Sequence, residues 1–258
     1  MKNLVICGDS YSIGIGCEDL KSEPYGSLLA SKLNKNLINL AKGSSSNFSI
    51  YLQVKYAIEN IKDIDLLCVG VTCNYRTEWF PENTNTKTEI KNTDVNYHQY
   101  PPYGKDTNNI ILEHPMINDV EYKGDMFTEN YMGIVAYVEE VINKKAPIGD
   151  YFLKFKNESP ERIKILYDYY MNLFDARIQH KYDMGVIVMS HLLLKKNGIK
   201  HYILTYDKSF LDYIPNDNIV DIDWHKLSVK YPDKFNTLHT SSEGQRIVYN
   251  EIIKKVLI

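Results

Sequence analysis

The sequence has little that would mark it for a nucleic acid or a membrane. Its 30 Lys and Arg residues are balanced by 33 Asp and Glu residues, so the formal net charge is −3 and no basic excess favours a nucleic-acid partner. No apolar run approaches the roughly 18 residues of a membrane span. The N-terminal segment has one lysine and a very short apolar run before Asp9, unlike a signal or transit peptide, so we expect a cytoplasmic protein.

Metal and cofactor motifs are also missing. The four cysteines, Cys7, Cys17, Cys68 and Cys73, form no CxxC pair and no metal-ligand spacing, so we expect reduced thiols that behave as small apolar side chains. The DIDWH segment, residues 221–225, alternates acids with a histidine, but residues at the end of a strand more often face solvent or cap a turn. No dinucleotide-binding or P-loop motif occurs. We therefore predict neither a metal nor a cofactor.

Short apolar runs alternate with segments of helical period at both ends of the chain. A length of 258 residues with 44% hydrophobic content suits one large domain or two small ones. The apolar runs predict five strands, at residues 2–7, 36–40, 65–71, 200–205 and 218–222. Runs that are apolar throughout are typical of parallel sheets covered on both faces. The sequence therefore predicts a three-layer α/β/α, flavodoxin-like domain with about five parallel strands.

The segment between the third and fourth predicted strands is far longer than a crossover needs. We assign residues 1–80 and 198–258 to the α/β core, and residues 81–197 to an insertion of loop and helices that acts as a lid or docking subdomain. Within it, residues 128–144 predict an amphipathic helix. A second helical pattern runs from residue 159 to 197, with a break near Gly185.

Tyrosine is unusually frequent, with 21 residues against 8 Phe and 2 Trp, and many of the tyrosines lie in the insertion. A tyrosine has an apolar ring and a polar tip, which suits interfaces and sugar-binding surfaces. Helix packing inside the insertion would explain the excess equally well. If the tyrosines form an interface, the insertion is where a second copy of the chain or another partner would bind.

Polar residues suited to acyl transfer follow several predicted strands. Ser10 follows the first strand, Gly43 the second and Asn74 the third, and His239 lies after the fifth, just ahead of the last helix. In open parallel sheets, ligands bind beyond the carboxyl ends of the strands. A serine, small-residue backbone donors, an amide and a histidine can act as nucleophile, oxyanion donors and general base.

These residues resemble the four sequence blocks of the SGNH hydrolases, also called the GDSL esterase/lipase superfamily. The GDS motif is present as Gly8-Asp9-Ser10, and the glycine of the second block is Gly43 in AKGSSSN. The asparagine of the third block is Asn74, where the family's GxND reads TCNY, and the histidine of the last block is His239. The resemblance implies that Ser10 attacks an ester carbonyl and His239 takes its proton. It also implies that the N–H groups of Ser10 and Gly43, with the Asn74 side chain, hold the oxyanion.

One position departs from the family pattern. The family usually has an aspartate three residues before the histidine, and that position is Asn236 in this chain. In a serine protease, Asp→Asn at the equivalent role costs about 10⁴ in rate. Asp233, further back, is an alternative orienting residue. A second alternative is a Ser-His dyad without an orienting side chain, helped by a backbone carbonyl. Asp9, Tyr11 and Arg76 are candidate substrate-binding residues, although a surface salt bridge would also account for Arg76.

Two functions compete at this point. The first is a serine esterase or O-deacetylase that hydrolyses an acyl ester of a small molecule or a glycan. The alternative is a catalytically weak or inactive SGNH-like component of a larger assembly such as a phage virion, contacted through the tyrosine-rich insertion. Asn236 motivates this alternative, and the Asn-, Lys-, Ile- and Tyr-rich composition resembles that of proteins of AT-rich bacteriophages.

Overall fold

A five-stranded parallel sheet lies at the centre of the structure, a computed structural model that describes residues 2–43, 45–73, 76–79, 132–135, 169, 173, 175–234 and 239–257. The strands are β1 (Asn3–Cys7), β2 (Asn36–Asn39), β3 (Ile64–Gly70), β4 (Arg76–Trp79), β5 (Met132–Val135), β6 (His201–Leu204) and β7 (Ile219–Val220). The parallel sheet has the order β2-β1-β3-β6-β7, and β4 pairs with β5 in a separate antiparallel ribbon. The chain order reverses between β1 and β3, and in open parallel sheets ligands bind beyond the carboxyl ends of the strands at such a point.

Six α-helices accompany these strands in the described ranges. They are α1 (Ser10–Ile13), α2 (Tyr25–Leu33), α3 (Asn47–Asn60), α4 (Ala176–Lys196), α5 (Trp224–Lys230) and α6 (Ser242–Val256). Side-chain caps set the start of several helices. The Ser46 hydroxyl accepts from the N–H of Ser49 at 3.1 Å, and the Asp175 carboxylate accepts from the N–H of Arg177 at 2.8 Å. Such caps satisfy N–H groups that have no acceptor inside the helix.

The core has two halves, one on each face of the sheet. Successive side chains of a strand point to opposite faces, so Val5 of β1 packs on one side and Leu4 and Ile6 on the other. The Val5 side is covered by α3 and α4, which contribute Ile50, Val54, Ile187 and Leu194. The other side is covered by α2 and α6, which contribute Leu29, Val248 and Ile252. These helices and the sheet form the three layers.

The predicted flavodoxin-like sheet is confirmed. Its five parallel strands fall within the predicted runs or one residue beyond them, and their order, counted along the sheet's own strands, is 2-1-3-4-5. Most of the predicted insertion lies outside the described residues, so the domain boundaries stay a prediction. Helix α4 falls inside the predicted insertion, and its residues Ile187 and Leu194 pack in the core beside α3.

Two details of the predicted insertion are wrong. Met132–Val135 belongs to a predicted helix, but it is a strand that pairs antiparallel with Arg76–Trp79. The predicted break near Gly185 is absent, since α4 continues from Ala176 to Lys196.

All four cysteines are free, and only Cys73 is exposed. Within the described ranges, the structure has no helix of the length and hydrophobicity that a membrane crossing requires.

Candidate active site

Ser10 lies in a tight turn that Asp9 holds in place. Asp9 is the N-cap of α1: its Oδ1 accepts from the N–H of Tyr11 at 3.0 Å, and its Oδ2 accepts from the Thr72 hydroxyl at 2.8 Å. Its carboxylate is buried, with 2% of the residue exposed. Ser10 becomes the first residue of α1, where an N–H group has no acceptor inside the helix. Asp9 thus joins the Ser10 turn to the loop after β3, and its predicted contact with substrate stays a prediction.

Three glycines allow the segments around Ser10 to approach one another. A Cβ added at Gly8 or Gly70 would collide with the hydroxyl of Ser12, which is fully buried between the ends of β1 and β3. Gly16 has a positive φ of 105°, and a Cβ there would lie 2.5 Å from the carbonyl oxygen of Thr240 and 3.1 Å from Cβ of His239. The loop that follows α1 therefore packs directly against the segment that carries His239.

Asp233 holds the backbone of His239 from both sides. Its Oδ2 accepts from the N–H of His239 at 3.0 Å, and its own N–H donates to the His239 carbonyl at 3.1 Å. An antiparallel bridge between Pro232 and Thr240 closes the same loop. Asp233 is buried, with 5% of the residue exposed. The Asp233 carboxylate therefore lies beside His239, the candidate base. Asp233 is the residue that the sequence offers as an alternative to Asn236 for orienting this base.

The side chain next to Ser10 touches the ring of His239. The Tyr11 and His239 rings lie 5.0 Å apart between centroids and are tilted by 50°, and Trp224 stacks on Tyr11 at 5.3 Å. The Tyr11 carbonyl accepts from Nε2 of Gln245 in α6 at 2.9 Å. The Ser10 turn and the His239 loop therefore lie next to each other.

Gln53 of α3 joins the Ser10 turn to the loop of Gly43. Its Oε1 accepts from the N–H of Gly8 at 2.6 Å, and its Nε2 donates to the Gly8 carbonyl at 3.0 Å and to the Ser45 hydroxyl at 3.2 Å. The N–H of Lys42 also donates to the Gly8 carbonyl, at 3.1 Å. Gly43 therefore lies between Lys42, which hydrogen-bonds to Gly8 at the end of β1, and Ser45, which is linked to Gly8 through Gln53.

Asn47, at the start of α3, holds the loop after β3 in the same way. Its Oδ1 accepts from the N–H of Thr72 at 3.0 Å, and its Nδ2 donates to the Thr72 carbonyl at 3.1 Å. This loop leads to Asn74, which lies outside the described residues, as does Asn236. For Arg76 the structure describes only the backbone, in β4. The predicted roles of these three residues stay predictions.

Sequence reasoning missed the buried amides around Ser10, namely Asn47, Gln53 and Gln245. Their partners lie 25, 45 and 234 residues away in the chain, so no local spacing reveals them. One signal was present: Gln53 lies three residues after Ile50 and four before Ala57, so it shares a helix face with two buried apolar residues of α3. A polar residue at such a position needs a buried partner.

A buried carboxyl, Asp183 of α4, lies near this network. Its Oδ1 accepts from Nε2 of Gln179 at 3.0 Å, and its Oδ2 has no hydrogen-bond partner among the described residues. Burial raises the pKa of Asp183 to about 6, although the nearby Asn47, Gln179 and His180 favour its ionised form. The fold therefore holds a buried carboxyl whose charged form burial disfavours.

A pair of buried histidines lies at the opposite, amino end of β6. Nδ1 of His191 and Nε2 of His201 are 2.8 Å apart, and Nδ1 of His201 lies 2.7 Å from the carbonyl oxygen of Ile199. The carbonyl requires His201 to carry its proton on Nδ1, so its Nε2 accepts from Nδ1–H of His191. Burial lowers the pKa of both rings. Both are therefore expected to be neutral at pH 7.

The described residues contain no group of three His, Cys, Asp or Glu side chains that could hold a metal ion. In the DIDWH segment, Asp223 caps α5 by accepting from the N–H of Lys226 at 3.0 Å. Asp221 pairs with Lys208 at 2.6 Å on the surface. Both acids thus have structural partners, as residues at the end of a strand often do.

Comparison with known proteins gives few matches. No protein-family model matches the chain, and no curated protein matches it. Among solved structures, that of an acetyl xylan esterase aligns over 98% of this chain and 99% of its own, with 14% sequence identity and a TM-score of 0.31. A likeness at this TM-score carries no argument about function, which we therefore base on the residues of the site.

Proposed function

We propose that the protein is a serine ester hydrolase of the SGNH type. The observation that carries the proposal is the packing of the Ser10 turn against the His239 loop at the carboxyl edge of the sheet, through the Tyr11–His239 ring contact and the close approach at Gly16. A serine, a histidine and backbone donors at such an edge are the parts of an acyl-transfer site.

In the proposed reaction, the Ser10 hydroxyl forms a bond to the acyl carbon of an ester while His239 accepts the hydroxyl proton. The negative charge that develops on the carbonyl oxygen is held by the N–H groups of Ser10 and Gly43 and by the Asn74 side chain. When the C–O bond of the ester breaks, His239 returns the proton to the leaving alcohol. A water molecule then attacks the acyl group on Ser10, again with His239 as base, and frees the acid and the serine.

We assign the role of orienting His239 to Asp233 rather than to Asn236. Asp233 is buried, and hydrogen bonds in both directions with the backbone of His239 fix its place in the same loop. A carboxylate in that place stabilises the imidazolium that forms during the reaction, which a neutral amide does less well. Under this assignment the Asn at position 236 does not weaken the site.

Hydrolysis of p-nitrophenyl acetate tests both statements. Ser10→Ala and His239→Ala should each abolish turnover above background, and Asp233→Asn should lower kcat by about 100-fold or more. The matched change at the other position, Asn236→Asp, should leave kcat within a few-fold of wild type. If Asp233→Asn is fully active, the assignment to Asp233 is wrong. If the wild-type chain does not hydrolyse this ester or acetylated sugars, the non-catalytic alternative is favoured.

A carbohydrate ester is the substrate class we propose within this reaction. The partly buried ring of Tyr11 lies beside His239, with the buried ring of Trp224 stacked on it, and an aromatic ring offers an apolar face next to polar groups. Release of acetate from acetylated xylan or from acetylated monosaccharides, measured against ethyl acetate, a simple ester whose alkoxide leaving group is about as poor as that of a sugar, tests this choice. A kcat/KM for the sugar esters well below that for the simple ester would contradict it.

A further inference from the structure

Two buried amide side chains of α3 form hydrogen bonds with the main chain just after the ends of two strands. Gln53 is fully buried and bonds both the N–H and the carbonyl of Gly8, directly after β1. Asn47 bonds both the N–H and the carbonyl of Thr72, in the loop after β3. An amide side chain carries an acceptor oxygen and N–H donors side by side, so it can pair with a peptide group in this two-point manner.

Gln53 has a third hydrogen bond that reaches a different loop. Its Nε2 also donates to the hydroxyl of Ser45, which is itself buried with 3% of the residue exposed. Gly8 stands two residues before Ser10, and Ser45 stands two residues after Gly43. One side chain therefore spans the two loops that carry Ser10 and Gly43.

We propose that Gln53 is a positioning residue that sets the separation between the N–H groups of Ser10 and Gly43, the two backbone donors of the oxyanion site. The inference rests on the proposed function, and it adds a residue outside the four sequence blocks. Oxyanion donors act at 2.7–3.1 Å from the charged oxygen, and a displacement of about 1 Å can cost about 100-fold in rate. Because Gln53 is buried, water does not compete for its hydrogen bonds.

A purely structural role for Gln53 makes a different prediction. A buried side chain that only holds the fold together would lower the melting temperature when replaced, while the enzyme that remained folded would keep its kcat. A positioning residue lowers kcat in the folded enzyme, and it leaves KM nearly unchanged because the donors act mainly on the transition state. The split between kcat and KM, measured on folded protein, separates the two roles.

The test compares three variants with p-nitrophenyl acetate at a temperature where circular dichroism shows each to be folded. Gln53→Met keeps the length of the side chain without its hydrogen bonds, and Ser45→Ala removes the hydroxyl that links Gln53 to the second loop. Val54→Ala is the matched control, because Val54 is a fully buried neighbour in α3 whose side chain packs in the core.

We expect Gln53→Met to lower kcat by about 10- to 100-fold and Ser45→Ala by about 3- to 10-fold, with KM within about three-fold of wild type. Val54→Ala should lower the melting temperature and leave kcat within two-fold, about the spread of repeated assays. Wild-type kcat in folded Gln53→Met and Ser45→Ala overturns the inference and leaves the proposed function standing. If Gln53→Met does not fold, Ser45→Ala decides alone. Absence of turnover in the wild-type chain overturns both.

Discussion

Replacing Asp183 by asparagine should make the stability of the protein less dependent on pH. Asp183 is buried in α4, and one of its oxygens has no partner among the described residues. Burial raises its pKa to about 6 from a usual value of 3.8. Asparagine has almost the same shape and can still accept the hydrogen bond from Gln179, but it has no charge to leave unsolvated.

Whether Asp183 lowers or raises the free energy of unfolding as the pH rises depends on which state, folded or unfolded, binds its proton more tightly. Between pH 4 and pH 6 the folded protein holds the Asp183 proton more tightly than the unfolded chain does, so this residue favours unfolding more as the pH rises. The difference of about 2 between the two pKa values corresponds to a loss of about 3 kcal/mol at pH 7. At pH 4 the loss is only about 0.5 kcal/mol, since the folded state is then protonated and the unfolded chain, with a pKa close to this pH, is still partly protonated.

Urea denaturation of wild type and Asp183→Asn at pH 4, 5, 6 and 7 measures this effect. The free energy of unfolding of the variant, minus that of wild type, should rise by about 2–2.5 kcal/mol from pH 4 to pH 7, with most of the rise below pH 6. The comparison across pH cancels any constant cost of the new amide group. A difference that stays constant over this range would refute the argument that Asp183 titrates near pH 6 in the folded state.

Two further predictions concern packing and the buried histidines. Gly70→Ala should destabilise the fold by about 1–3 kcal/mol, because the new Cβ would collide with the Ser12 hydroxyl. Adding Ser12→Ala to this variant should relieve most of that cost, because the Cβ at position 70 would then lie 3.6 Å from Cβ of residue 12. The same rescue should fail for Gly8→Ala, whose Cβ would lie 2.5 Å from Cβ of Ser12; thermal unfolding measures all of these variants. Because burial lowers the pKa of His191 and His201, the unfolded chain binds their protons first, and stability should fall as the pH drops below about 6.5. His201→Gln in the Asp183→Asn background should weaken that fall in urea titrations, and an unchanged slope would contradict the assignment.

The sheet could be predicted from the sequence because each of its strands is a short apolar run bounded by turn residues. The runs at residues 2–7 and 200–205 contain strands Asn3–Cys7 and His201–Leu204 and can be located without any knowledge of their partners, since burial on both faces leaves a local signal. Met132–Val135 could not be assigned in this way. Three apolar residues and a glycine do not distinguish a helix from a strand, and the pairing with Arg76–Trp79 is not visible locally.

The candidate site also contains some residues that carry a local sequence signal and others that do not. Ser10 and His239 are candidates from the sequence because of their types and their positions after predicted strands. The sequence leaves the role of Asp233 open, because only the folded loop shows that its carboxylate meets the backbone of His239. Gln53 and Asn47 could not be connected to the site at all, since their hydrogen bonds cross between elements that the fold alone brings together.

Reaction with a fluorophosphonate tests the central claim most directly, because the reagent bonds to a serine hydroxyl that a neighbouring base activates, with release of fluoride. The account predicts that the wild-type chain gains one phosphonyl group, which peptide mass spectrometry locates on Ser10. Ser10→Ala should remain unlabelled, His239→Ala should react far more slowly, and Ser12→Ala should react as wild type does. A folded wild-type chain that gains no label, or gains it on another serine, would contradict the claim.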